Sequence, residues 1–557
     1  MSAETRNSAS PHPEAASSPD ETSSPDAASS PGSASPGPAS PGPESAARTG
    51  RNGKPADIRW RALAVCLVAG FMTLLDVSIV NVALPSLKAG LHASPDDLQW
   101  VLSGYALAFG LVLVPAGRLG DTHGRRAAFM VGLAAFTLTS AAAGVATGPA
   151  WLVAARFAQG LASGILNPQV AGLIQQLFQG RERGRAFGLL GAVIGLSTAI
   201  GPLLGGLLIS AGGPTDGWRW VFYVNVPIGL AALPAAYRLL PSHREIRQHR
   251  PEQDGAASGS RPTGLDPVGV VLLAIGVVLI LLPLVEEQQW RGSLKWLLVP
   301  AAAAFLAVFV LWERRRAERA DPLLDLKLFR FRSYSLGSAI ALVYFSGFTA
   351  IFFIFTLYVQ AGLGYSALLA GAAMTPFAVG SGVASALGGR VVTKLGRPLI
   401  AAGLVMVALG LGGTLLAVHL VPGRGVGWAA ALPLALAGLG SGLVIAPNQT
   451  ITLSEVPVRY AGSAAGVLQT AQRIGSAVGI AVVGSVFFAA VGAAASTSAG
   501  SGSGGGSGRP RDPGRWADAF QRGLAVAIGL VLLALLIAAY DVVATYRKAE
   551  GSAEPTG

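Results

Sequence analysis

The chain consists largely of long apolar stretches separated by short polar loops. A membrane-spanning helix needs about 20 mainly apolar residues, and fourteen stretches approach or exceed this length. They cover residues 62–85, 98–117, 127–148, 150–174, 186–211, 219–240, 267–286, 296–312, 334–359, 366–389, 398–418, 428–452, 462–491 and 523–546. This pattern predicts an all-α membrane protein with fourteen transmembrane helices.

Composition and charge agree with a chain that folds in lipid. Hydrophobic residues make up 52% of the 557 residues and charged residues only 13%, whereas soluble domains carry about 25% charged residues. The net charge of +12 comes from arginines clustered in alternate loops, which is the positive-inside pattern. The clusters include Arg118, Arg125 and Arg126; Arg181, Arg183 and Arg185; and Arg314, Arg315, Arg316 and Arg319. We therefore predict a multi-pass protein of the cytoplasmic membrane with both termini cytoplasmic and no nucleic-acid partner. One cluster, around Arg509 and Arg511, falls in a predicted outer loop against this rule.

An internal repeat divides the chain into two related halves. The sequence GLASG at 160–164 reappears as GLGSG at 438–442, and glycine and arginine positions that follow reappear with the same shift of 278. Parallel repeats of this kind build transporters whose halves rock around a central site. The predicted domains are a disordered cytoplasmic tail (1–57), an N-terminal six-helix bundle (58–245), a cytoplasmic loop (246–265), an inserted helix pair (266–313), a cytoplasmic linker (314–333), a C-terminal six-helix bundle (334–547) and a C-terminal tail (548–557).

A glycine- and arginine-rich loop, GRLGDTHGRR, follows the second apolar stretch. Five of its residues resemble in their spacing the signature loop of the major facilitator superfamily: Gly117, Asp121, Gly124, Arg125 and Arg126. A carboxylate is stabilised by a helix N-terminus, here that of the following helix, and can pair with guanidinium groups. We predict that this loop is a conformational latch on the cytoplasmic face, although its arginines could serve topology alone. The second half has Thr393 in place of the acid, so the latch should depend on the first half.

Further sequences are similar to the fourteen-helix drug:proton antiporter family of that superfamily. They are LLDVSIVNVALP at 74–85, LVAARFAQG at 152–160, GLSTAIGPLLGG at 195–206 and GWRWVFYVNVPIG at 217–229. The resemblance implies multidrug efflux by antiport and identifies the third sequence as the family's antiporter motif. Its small residues allow close helix packing, and the resemblance implies that they also seal the central cavity; packing alone is the alternative. These residues are Gly195, Gly201, Pro202, Gly205 and Gly206.

Two charged residues lie well inside the predicted helices of the first half. Asp76 is costly in hydrocarbon unless it is paired or protonated, so we predict that it binds and releases protons. Arg156 stays charged and needs a polar cavity or an acidic partner, and the resemblance implies that it couples proton movement to substrate. The structural alternatives are a hydrogen-bonded acid and an arginine that extends to the membrane interface.

Other polar and aromatic residues at similar depth are candidates for the substrate cavity, although each could instead form an interhelical hydrogen bond. They are Tyr105, Gln159, Asn167, Tyr344, Asn448, Gln449, Gln472 and Arg473.

These features together predict a transporter that is not an enzyme. The sequence contains neither a phosphate-binding loop nor a zinc-protease motif, and its single cysteine excludes an internal disulfide, so we predict no cofactor and no metal. The predicted function is proton-driven export of amphipathic, cationic or neutral small molecules by a monomer in the lipid bilayer. Export of one endogenous metabolite and a non-transporting membrane receptor are the alternatives.

Overall fold

A computed structural model describes residues 55–213, 215–241, 266–285, 290, 292–318, 322–421, 423–499 and 513–551. Across these ranges the regular secondary structure is helical. The predicted cytoplasmic loop at 246–265, and the predicted tails except residues 55–57 and 548–551, lie outside the described residues.

The α-helices are numbered α1 to α16 in chain order. They are α1 Pro55–Leu91, α2 Pro95–His123, α3 Arg125–Gly144, α4 Pro149–Leu177, α5 Gly180–Gly212, α6 Gly217–Tyr223, α7 Asn225–Leu239, α8 Pro267–Val285, α9 Leu298–Arg316, α10 Arg332–Leu357, α11 Ala367–Leu395, α12 Arg397–Leu420, α13 Val426–Ala429, α14 Ala431–Thr452, α15 Ala461–Ala499 and α16 Pro513–Gly551.

Thirteen of the described stretches are long and apolar enough to cross a membrane. Each overlaps a stretch predicted from the sequence, so the all-helical membrane fold is confirmed for the described part of the chain. The predicted stretch 150–174 does form a helix, α4, but is not among the thirteen. Its buried side chains include Arg156, Gln159, Gln169 and Gln175, and such polar residues lower the mean hydropathy of the helix. By apolar length alone, the count is therefore one below the fourteen predicted.

Local sequence explains where α2 begins and how the chain turns after it, at residues 117–126, which we call the first-half loop. Ser94 starts α2 with a reciprocal cap, in which its hydroxyl accepts from the Asp97 amide at 3.1 Å and Asp97 accepts from the Ser94 amide at 2.9 Å. Gly124 separates α2 from α3 with a φ of 104°, a conformation that side-chain-bearing residues rarely adopt. Its repeat-related counterpart, Gly396, separates α11 from α12 with a φ of 58°. This conformational requirement explains why both copies of the loop keep the glycine.

Two helix pairs join the halves of the chain, and both are in contact at one end of the bundle, which we call the basic end because Arg125, Arg183 and Arg390 lie there. In the first pair, α5 packs on α11, and a Cβ added to Gly188 would lie 2.9 Å from the Gly389 Cα. In the second pair, α2 packs on α15. Glycines at both contacts allow backbone to touch backbone, so the basic end is closed in this structure.

The inserted helices pack beside the second of these pairs. Helix α8 contacts both α2 and α15, and a Cβ on Gly110 of α2 would lie 3.0 Å from Leu281 of α8. The partner helix α9 is tied to α8 by the Trp312 indole, which donates to Asp266 at 2.7 Å. The inserted helix pair therefore packs against the interface between the two halves.

Candidate functional site

The fully buried carboxylate of Asp76 on α1 is held by side chains from α4 and α7. Arg156 Nη1 lies 2.6 Å from Asp76 Oδ2. The other carboxylate oxygen, Oδ1, accepts from Gln159 Nε2 at 3.0 Å and from Asn225 Nδ2 at 3.1 Å. These three donors offset part of the cost of removing an ionised carboxylate from water. Asp76 therefore sits in a charge cluster formed by residues far apart in the sequence.

Arg156 is the cation of this cluster and is only 1% exposed. It donates to Gln159 Oε1 at 2.7 Å and to the Val101 carbonyl at 3.3 Å. Its guanidinium carbon lies 4.2 Å from the centre of the Tyr105 ring, within the range of a cation–π contact. The side chain is thus directed into the bundle and paired with the acid.

Asn225 and Ser140 belong to the cluster but are absent from the predicted site. Asn225 Nδ2 lies 3.0 Å from Ser140 Oγ, which in turn donates to the Phe222 carbonyl at 2.9 Å. The sequence contains a signal that could have identified Asn225, since it is a single amide within the apolar sequence GWRWVFYVNVPIG. It contains no such signal for Ser140, because serines are common in membrane helices and usually bond locally.

Asn225→Leu is expected to lower the free energy of unfolding by about 1–3 kcal/mol, because Asp76 and Ser140 each lose a buried hydrogen-bond partner. Denaturant unfolding of the purified protein would measure this change. Ser210→Leu is the matched control: Ser210 lies on α5, is exposed, and its hydroxyl donates to the Leu207 carbonyl of its own helix. A surface change of this kind should stay within about 0.5 kcal/mol. Equal effects of the two variants would contradict a structural role for Asn225.

A cavity of about 150 Å³ lies beside the charge cluster. Its wall brings together three predicted site residues from three helices, Tyr105 of α2, Arg156 of α4 and Arg473 of α15. Both halves of the chain therefore contribute to it. The remaining wall residues are Val77, Asn81, Leu102, Ala106 and Phe109.

Six other predicted cavity residues lie outside this wall: Gln159, Asn167, Tyr344, Asn448, Gln449 and Gln472. Gln159 belongs to the charge cluster. Asn167 and Asn448 donate to the backbone carbonyls of Ser163 and Gly337 at 3.0 and 2.9 Å. Tyr344 and Gln449 are buried, while Gln472 is half-buried.

The first-half loop contacts the second half through Asp121. Its two carboxylate oxygens accept from the backbone amides of Gly462 and Ser463, each at 2.9 Å. These amides form the N-terminus of α15, whereas the sequence suggested the N-terminus of the helix after the loop. That expectation is wrong because Asp121 lies in the last turns of α2 and faces across the bundle. A carboxylate is stabilised there by two amides and by the helix dipole.

The arginines of the same loop hold it in place. Arg125 lies 2.8 Å from Asp121 and donates to the Gly172 carbonyl at 2.9 Å and to the Val458 carbonyl. Arg126 donates to the Tyr237 carbonyl and lies over the Tyr237 ring. Gly117 meets the Gly462 carbonyl so closely that a Cβ would not fit.

The second copy of the loop uses a different acid. Arg397, which corresponds to Arg125, forms an ion pair with Asp541 of α16. Arg332 lies 3.1 Å from the same carboxylate. All three residues belong to the second half, so this cluster ties helices within one half, whereas Asp121 connects the two.

The small residues of α5 face two neighbouring helices. A Cβ on Gly195 would lie 2.8 Å from the Gly382 amide nitrogen of α11, while Gly201 and Gly205 face α1 at Ser78 and Ile79. Pro202 lies against Gly371 of α11, and Gly206 faces open space. Helix α5 therefore packs between the helix that carries Asp76 and the opposite half.

Comparisons with known proteins agree with this architecture. A family model described as Major Facilitator Superfamily matches residues 66–480. The chain is 40% identical over 442 residues to a protein of Streptomyces coelicolor described as a "probable actinorhodin transporter", covering 79% of this chain and 74% of the relative. It is 34% identical over 509 residues to a puromycin resistance protein of Streptomyces alboniger, covering 89% and 92%. The fold is similar to that of the proton:xylose symporter XylE, with a TM-score of 0.59 at 15% identity, over 87% of this chain and 95% of that one.

Proposed function

Because this chain belongs to the Major Facilitator Superfamily, we propose that it exports small molecules in exchange for protons. Superfamily membership rests on the family model and on relatives that share 30% or more of their residues over most of their length. The observation that carries the proposal is the buried Asp76–Arg156 ion pair beside a cavity to which both halves contribute. An ionisable pair in hydrocarbon is costly, and a residue of this kind is the default candidate for proton binding.

The proposed cycle uses the cluster as a proton-dependent switch. When Asp76 is ionised, Arg156, Gln159 and Asn225 are bound to it across three helices. A proton on Asp76 removes the charge that attracts Arg156, which weakens the contact between α1 and α4. The two protonation states would then favour different arrangements of the helices around the cavity, and each return of Asp76 to the ionised state releases one proton.

The proposed topology places the basic end in the cytoplasm and both termini on that side. This follows the positive-inside rule. Helix α4 serves as the fourteenth span, since its 29 residues correspond to about 43 Å, more than the roughly 30 Å of hydrocarbon. Its charged residue points inward, whereas Trp151 and Phe157 are exposed on its outer surface. In this orientation the described conformation is closed towards the cytoplasm.

A dedicated exporter of one endogenous metabolite is the second candidate. The names of these two relatives favour it, because actinorhodin and puromycin are single compounds rather than a broad drug set. Both candidates need only protons, a small molecule and a bilayer as partners. A monomer suffices, since the residues of the charge cluster and the cavity wall come from one chain.

Reconstituted liposomes loaded with a pH-sensitive dye would test the proposal. With a pH gradient imposed, adding actinorhodin or puromycin to the side facing the basic end should dissipate the gradient faster than in protein-free liposomes. The compound should also accumulate on the opposite side, and an uncoupler should abolish the accumulation. Transport of one compound only would favour the dedicated exporter. Uptake that is unaffected by the uncoupler would contradict proton coupling.

A further inference from the structure

Arg473 on α15 is the second cation of the cavity wall and plays no part in the Asp76 cluster. Building on the proposed function, we propose that the cavity selects aromatic molecules with an acidic group and that Arg473 binds this group. The cargo would thus be anionic, in contrast to the cationic or neutral cargo expected from the sequence.

The charges around the cavity do not balance. Among the described residues, its wall contains two guanidinium groups, Arg156 and Arg473, and no carboxylate, while Asp76 lies next to the wall as the partner of Arg156. Asp76 is paired with Arg156 at 2.6 Å. None of the ion pairs found within the described ranges involves Arg473. One positive charge therefore remains uncompensated in a part of the bundle where charges are costly.

Two acids of the second half, Glu455 and Asp541, lie towards the basic end and away from Arg473. Arg473 is twelve residues into α15, which is about 18 Å from the start of that helix. Glu455 precedes α15 and accepts from Ser333 at 2.6 Å. Asp541 is bound by Arg332 and Arg397 at the basic end. A small anion that enters the cavity can reach Arg473 where these acids cannot.

The wall next to Arg473 is aromatic. The guanidinium carbon of Arg473 lies 4.3 Å from the centre of the Phe109 ring, and that of Arg156 lies 4.2 Å from the centre of the Tyr105 ring. The two rings are close to parallel, with centres 6.1 Å apart and an angle of 22° between their planes. Both rings line the cavity beside a planar guanidinium group, which binds carboxylates through two parallel hydrogen bonds. A cationic cargo would instead be repelled by Arg473.

The position of the proposed anion site is compatible with exchange against protons. Arg156 is held by Asp76, so an anion bound to Arg473 leaves the proton-binding pair intact. The present cavity of about 150 Å³ is below the roughly 300–1,000 Å³ of pockets for drug-sized ligands. It accommodates the acidic group and a ring, and a larger cargo requires the halves to separate further.

Binding of two dyes with one ring system and opposite charge tests the proposal. Fluorescein is anionic near neutral pH and rhodamine 123 is cationic, and both contain the same three-ring xanthene. Fluorescence anisotropy with the full-length protein in lipid nanodiscs should give a dissociation constant about 10-fold or more lower for fluorescein, since a hydrogen bond to a charged group has this effect. This comparison uses the wild-type protein and needs no variant to fold.

Variants then assign the preference to Arg473. Arg473→Gln should weaken fluorescein binding by about 10- to 100-fold and leave rhodamine 123 binding unchanged or tighter. Arg473→Lys should retain part of the preference, because it keeps the charge but loses the planar fork. Arg522→Gln is the matched control, since Arg522 is exposed on α16 and its loss should change neither affinity.

Three results would overturn the anion site. The wild-type protein could bind rhodamine 123 more tightly than fluorescein, or not bind fluorescein at all. Arg473→Gln could also weaken the binding of both dyes equally. These equilibrium measurements need no proton gradient, so they separate the two proposals. Fluorescein binding without proton-driven flux would support the anion site and contradict the proposed antiport. Proton-driven flux of rhodamine 123, but not of fluorescein, would support the antiport and contradict the anion site.

Discussion

Replacement of Asp76 by asparagine should reduce transport driven by a pH gradient to the level of protein-free liposomes. Asparagine has nearly the same shape and can still accept from Gln159 and Asn225, but it cannot release a proton. The variant therefore resembles a permanently protonated state. Exchange of labelled for unlabelled compound without a gradient should persist, because it needs no net proton movement and Asp76 is not one of the cavity wall residues. Measuring both activities in the same liposomes distinguishes a loss of coupling from a loss of function.

Asp96→Asn is the matched control for this substitution. Asp96 lies exposed in the first turn of α2, away from the charge cluster, so both activities should match those of the wild type. Arg156 loses its ionised partner in Asp76→Asn, so the folding of this variant has to be checked. Monodisperse elution from size-exclusion chromatography would show that it folds. If Asp76→Asn still drives accumulation against a gradient, Asp76 does not carry the coupled proton.

Gly462→Val should shift the basic end towards the open state and slow the transport cycle. A Cβ at Gly462 would lie 2.8 Å from Asp121 Oδ1 and 2.5 Å from the Gly117 carbonyl oxygen in the closed arrangement. Such overpacking costs about 1–3 kcal/mol, which corresponds to a roughly 5- to 150-fold lower population of the closed state. Both exchange and gradient-driven transport should fall, unlike in Asp76→Asn, because each needs the basic end to close.

Thiol labelling would report the opening directly. Leu113 is fully buried and its carbonyl meets Gly466 across the α2–α15 contact, so a Leu113→Cys reporter should react slowly in the closed state. The native thiol, Cys66, is also buried and would be replaced by serine in this background. We expect labelling to rise about 10-fold in Gly462→Val. Gly412→Val is the control, because a Cβ there meets nothing within 4 Å. Unchanged labelling would show that the α2–α15 contact does not set the closed state.

Much of the fold could be read from the sequence because lipid imposes strict requirements. Apolar stretches of spanning length predicted the helices, and the glycine and arginine spacing of the first-half loop predicted the superfamily, which the comparisons confirm. Asp76 and Arg156 stood out for the same reason, since an unneeded charge in hydrocarbon is too costly to keep. The helix that falls short of a spanning stretch by hydropathy, α4, is the one that supplies Arg156 and Gln159 to the charge cluster.

The sequence by itself determined which segments are helices, which residues are charged within them, and where glycine has to turn the chain. The tertiary structure alone decided which groups meet. Asn225 and Gln159 donate to Asp76, and amides of α15 donate to Asp121. Arg473, and not Asn448, lies in the cavity wall. The physical reason is that a helix apolar on all sides carries little local information about its rotation. Which polar side chain faces a neighbour, and which faces the cavity, is set only when the helices pack.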